Sequence, residues 1–322
     1  MEVKKAAEWM ERIAFLTAIL VMMLAAELCG EREIIFPEIA ALSIGCFLSP
    51  KLCWKTNYTK MIFFIELCAV LGVIIVVCTN IPLWMQVSLA YGLGQLVYIL
   101  SGTSLAPMIS AIVLPVLMQT RSIVYPVAAL LLLLLLVALR LVLEKLRVKE
   151  VNLYEPTLPP ARSDWMAFLF RTGLVAVLAY FCVKYQVKFC IAPPLLVAFT
   201  ELCRMDCPAG DKKLRVFLLV SLCAGAGAAA RGVFVMKCGI STVAVSLVIG
   251  VAVILLVKIF HLYFPPAGAM AVLALLIPDE AVSMYPLQVA AGMLILLFAA
   301  TIWVKMQKTA GKAGNGTCQK IL

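Results

Sequence analysis

Apolar stretches too long for a globular core follow one another through this chain with barely a polar interval. They lie at about 13–29, 61–78, 82–100, 123–143, 164–183, 214–234, 240–260 and 285–306. With 64% hydrophobic and 14% charged residues in 322, and a mean hydropathy of +1.07, a water-soluble fold of this size cannot hide so much apolar surface. The runs are rich in Leu, Val and Ala and do not alternate with polar residues. That pattern predicts helices rather than barrel strands. The first run lacks a small-residue cleavage site and is read as the first span.

Four shorter apolar segments, each carrying a proline at or near its start, interrupt the long ones. They lie at 37–50, about 103–118, 192–207 and 265–278. The last has room for only ~21 Å of helix against a hydrocarbon layer of ~30 Å. Loop charge nevertheless favours crossing. If all the segments cross from a cytoplasmic N-terminus, only Arg32, Arg121, Lys184, Lys188, Arg231 and Lys237 fall in the opposite loops, as the positive-inside rule requires. The expectation is an all-α polytopic protein of the cell membrane, such as a bacterial inner membrane. It has about twelve membrane segments and both termini in the cytoplasm.

Landmarks recur along the chain. Trp9, Lys60, Phe64, Gly72, Pro37, Pro107 and Tyr125 match Trp165, Lys213, Phe217, Gly225, Pro193, Pro265 and Tyr285 at separations of 153 to 160 residues. The proline-rich linker 144–163 would join two parallel six-segment repeats, 1–143 and 164–306. Residues 307–322 read as a disordered tail. Within each repeat the order long, short, long occurs twice, which implies an inverted 3+3 arrangement. Such a duplicated chain works as a monomer with pseudo-dimeric symmetry or as a homodimer.

Proline in a first helical turn leaves the other N–H groups of that turn facing outward, a natural anion site. The substrate-binding residues predicted on this basis are Pro265, Pro266, Gly268, Ala269, Pro107, Ser110, Pro37 and Pro193. Carboxylates inside apolar segments are functional candidates, so Glu66, Glu201 and Glu38 are assigned to proton coupling. Arg171 is the natural partner of Glu66. Glu27, Arg231 and Lys258 are expected to snorkel from span ends, and Trp84, Trp165, Tyr263 and Trp303 to anchor the interface. The Gly/Ala face at 224–230 predicts close helix packing. The net charge of +10 sits in loops, so nucleic acid is not a predicted partner. Cys203 and Cys207 lack zinc spacing and there is one histidine, so neither metal nor cofactor is predicted. No Ser/His/Asp set or phosphate loop points to an enzyme.

Pro265-Pro266-Ala267-Gly268-Ala269 and the apolar run to Pro278 resemble the signature of the HPP family of integral membrane proteins. Pro193-Pro194 and the Gly/Ala-rich span at 224–232 extend the resemblance over roughly residues 187–280. Phe264 stands where the family motif has histidine, and His261 lies three residues earlier. A plastid member of that family is associated with nitrite transport, so the resemblance implies transport of a small anion. Export of small organic (aromatic) acids would leave a similar pattern. The reading of another class is a membrane scaffold or partner subunit without transport of its own.

Overall fold

A computed structural model describes the backbone of residues 2–154, 156–157 and 159–318, with side chains over the same residues except 2–4 and 310–318. Among the described residues every regular element is helical. Eight helices are long and apolar enough to cross a membrane: α1 (Glu2–Cys29), α3 (Tyr58–Cys78), α4 (Leu83–Leu100), α6 (Val124–Lys145), α7 (Arg162–Lys184), α9 (Lys213–Ala230), α10 (Thr242–Phe260) and α12 (Tyr285–Cys318). Four are short: α2 (Glu38–Ser43, continued by a π-helical turn Ile44–Leu48), α5 (Pro107–Met118), α8 (Pro193–Leu202) and α11 (Pro265–Leu273). The fold is that of an all-helical, multi-pass membrane protein. Helix α12 runs unbroken past Met306 to Cys318, through the stretch read as disordered; residues 319–322 lie outside the described residues.

The long and short helices divide the work. Every residue of α2, α8 and α11 is buried, and all of α5 except Met118. The long helices surround them and turn large apolar side chains outward, such as Leu131, Leu169, Ile259 and Phe298. So much exposed apolar surface needs lipid, not water. Not all of it faces out. Leu132, Leu133 and Leu136 of the leucine run in α6 point into the core.

Glycine sets the closest approaches. A Cβ on Gly72 of α3 would meet the Ile112 carbonyl of α5 at 2.5 Å, and one on Gly227 of α9 would run into the Ala271 carbonyl of α11. The predicted small-residue packing face is therefore used at Gly227. At Gly225, two residues earlier, the space is open.

The ends of the short helices are closed by side chains. Pro115 has no N–H to give the carbonyl four residues back, and the Tyr125 hydroxyl donates to that carbonyl, Ala111, at 2.9 Å instead. The Tyr285 hydroxyl likewise donates to the Met270 carbonyl of α11 at 2.7 Å. Arg231, predicted to snorkel, is 4% exposed. Its guanidinium donates to the Ala274 and Ile277 carbonyls just past α11 and pairs with Asp279. Glu27, near the end of α1, is exposed as that reading expects. Its carboxylate accepts from Ser241, Thr242 and the Val243 N–H at the start of α10.

The linker is held against one end of the bundle. Tyr154 donates to the Gly102 carbonyl (2.7 Å) and accepts from Lys60 (2.9 Å), and Asn152 donates to the Thr56 carbonyl (2.6 Å). Lys149 pairs with Glu11 of α1 at 2.8 Å, so the first helix starts near this end too.

Candidate functional site

The first turns of the short helices offer fewer free donors than their sequence suggested. Pro265 and Pro266 carry no N–H, and the Ala267 N–H donates to the Phe264 carbonyl at 3.1 Å. Pro193 and Pro194 repeat this, with the Leu195 N–H on the Ala192 carbonyl at 2.8 Å. After Pro37 the N–H groups of Ile39 and Ala40 reach the carbonyls of Phe36 and Pro37, both at 3.0 Å. After Pro107 the Ile109 N–H reaches the Ala106 carbonyl at 3.0 Å. Proline here removes donors that would otherwise stand unpaired, which lets a helix begin inside the bundle. Gly268 is likewise a packing position. A Cβ there would lie 2.6 Å from Ile44 and 3.2 Å from the Ala40 carbonyl of α2, so Gly268→Leu would wedge α11 from α2 rather than shut out a ligand. Ala269 is 1% exposed.

The ionisable groups are more telling. The first turns of α2 and α5 meet where the Ser110 hydroxyl donates to Glu38 Oε1, while Glu38 Oε2 is buried with no partner. Glu38 and Ser110 are each 1% exposed. Glu201, in the last turn of α8, accepts from Trp54 Nε1 at 3.0 Å. The Trp54 ring covers Gly45, leaving no room there for a Cβ. Beside Glu201, the Thr200 hydroxyl bonds the Tyr91 hydroxyl (3.0 Å) and accepts from Gln95 Nε2 (2.6 Å). Glu66 is half-buried on α3, and its Oε2 is also unpartnered. The expected Glu66–Arg171 pair is not formed: among the described residues Arg171 enters no ion pair. Trp303, read as an interface anchor, is 8% exposed and stacks on Phe170.

Three cavities open at the end of the bundle that carries the linker. One, of about 330 Å³, reaches from Lys51 and His261 to Trp54, Glu201 and Pro265. A second, of about 340 Å³, is bordered by Tyr98, Ala167 and Arg171. The third, of about 510 Å³, lies between Lys55, Arg140 and Asn152. Arg204 borders all three. Its guanidinium grips Asp206 at 3.0 and 2.7 Å and holds that carboxyl below the usual range. The stability this contributes is present above the unfolded-state value of about 4 and fades as pH falls through the lower folded value.

Trp54, Thr200 and Arg204 escaped the sequence reading, because their partners lie far along the chain or their loops carry no motif. Trp54→Phe tests the first contact. The ring still covers Gly45, but Glu201 loses its donor, and we expect a loss of about 1–3 kcal/mol in stability, read as a lower melting temperature in detergent. An unchanged melting temperature would show the bond to be unimportant. No family model, no curated protein and no solved structure matches the chain.

Proposed function

We propose that the chain transports a small anion across the membrane. The observation that carries this is the buried charge. Glu38 and Glu201 are buried on the short helices α2 and α8, and acids within membrane segments mark solute and proton routes. The basic side chains Lys51, Lys212 and Arg204 around the 330 Å³ cavity suit an anion approaching Glu201 and Pro265.

In this reading the short segments traverse the bundle, giving twelve segments in two repeats. The segment that carries α2 supports this. Phe36 packs edge-on against Tyr125 at the start of α6, and Cys46 accepts from Arg140 near its end, so 36–46 covers most of the length of α6. Duplication is supported by reciprocal packing: α3 on α5 as α9 on α11, α1 on α10 as α4 on α7, and α2 on α11 as α5 on α8. The termini and linker then face the cytoplasm with most of the Lys and Arg. The likeness to the HPP signature points the same way.

Purified protein in liposomes, with an internal pH dye, tests the function. We expect saturable uptake of at least one of nitrite, nitrate, formate, chloride or a small organic acid. Absence of flux for all of them would favour the scaffold reading.

A further inference from the structure

We infer that the cavity beside Arg171 binds an organic monocarboxylate. The inference rests on the transport reading for its role but not for its chemistry. Arg171 is 4% exposed within α7. Its Nε donates to the Ala167 carbonyl at 3.2 Å. Among the described residues that Nε bond is the one hydrogen bond its guanidinium makes, and the residue borders the cavity of about 340 Å³. No carboxylate among the described residues pairs with this guanidinium, and the cavity gives an anion from solution access to it.

The other ionised groups at the cavity have partners of their own. Arg204 and Asp206 hold each other, and Asp164 accepts from the Ala161 N–H at 2.8 Å at the start of α7. Arg171 is the cation at this cavity that no carboxylate pairs with among the described residues, and a monoanion matches its single charge. The free edge of a guanidinium is a planar fork of donors and matches two coplanar oxygens, as in a carboxylate.

The walls decide what the carboxylate is attached to. The Tyr98 ring lies 5.9 Å from the centre of the guanidinium, and Ile99, Ala167 and Met205 add apolar surface. The volume falls in the range of about 300–1,000 Å³ that accommodates organic ligands. Nitrite would satisfy the fork and leave most of that space empty. An organic acid fills it, with its body against Tyr98 and Ile99.

The test is equilibrium dialysis of radiolabelled benzoate against the full chain in detergent, with nitrite and chloride as competitors at constant ionic strength. We expect saturable benzoate binding, with nitrite and chloride at least tenfold weaker. Arg171→Gln should weaken benzoate at least tenfold. Ala167→Phe, which leaves the charge and fills the cavity, should do the same and guards against a folding defect in the first variant. Wild-type protein that binds no benzoate, or folded variants that both bind it like wild type, would overturn the site. Benzoate binding lost in the variants, without flux of benzoate, nitrite, nitrate, formate or chloride into liposomes, would uphold the site and contradict the transport reading.

Discussion

Gly227→Val should leave almost no folded protein. The valine Cβ would be driven into the Ala271 carbonyl of α11, and neither atom sits on a flexible side chain that could swing aside. Helix α11 is buried throughout, so it cannot retreat without opening the contacts with α2 and α8. Overpacking of ordinary side chains costs about 1–3 kcal/mol. A backbone-to-backbone clash belongs with the rarer losses of about 4 kcal/mol or more. The measurement is the monodisperse fraction on size exclusion after detergent extraction. Gly225→Val, two residues away in open space, is the control and should behave like wild type. Equal yields of the two variants would mean that α9 and α11 do not approach as described.

Arg140→Met should be nearly as damaging, for an electrostatic reason. Arg140 is 2% exposed. It donates to Glu144 at 3.0 Å, to the Cys46 carbonyl at the end of the α2 segment, and to the Glu150 carbonyl of the linker at 2.9 Å. Glu144, itself 7% exposed in its side chain, also takes the Tyr58 hydroxyl. Methionine keeps most of the volume but strands a buried carboxylate and two carbonyls. Breaking such a pair costs about 3–5 kcal/mol. We expect a large fall in melting temperature, together with faster proteolysis of the linker once Glu150 is released. The exposed Arg12–Glu8 pair is the comparison, and Arg12→Met should cost about 0.5 kcal/mol or less. Equal effects at the two arginines would remove Arg140 from its place as a hub.

The sequence exposes the parts of this structure that depend on local rules. Long apolar runs mark the eight long helices because a span needs about twenty apolar residues in a row. Pro107, Pro193 and Pro265 mark helix starts because proline fits the first turn. What local rules cannot supply is the far partner. Arg231 looks like a snorkelling residue at the end of a span, yet it folds inward because the carbonyls after α11 need donors. Glu201 meets Trp54 across 147 positions, and Ser110 meets Glu38 across 72. Arg171 stands out as a charge within a span, but that no carboxylate among the described residues pairs with it emerges only once the helices are placed. At α8 and α11 the free N–H groups assigned to the proline turns are lost for a simple reason. Consecutive prolines supply none, and the carbonyl before them takes the next one.

The most direct test of transport is exchange. Liposomes containing the wild-type protein are loaded with unlabelled anion, and entry of the same labelled anion is followed, with benzoate and nitrite each tried. The account predicts that internal anion accelerates entry of label, that protein-free liposomes show no such acceleration, and that benzoate exceeds nitrite. Label entry equal to that of protein-free liposomes for both anions, from protein shown to be folded and inserted, would contradict it.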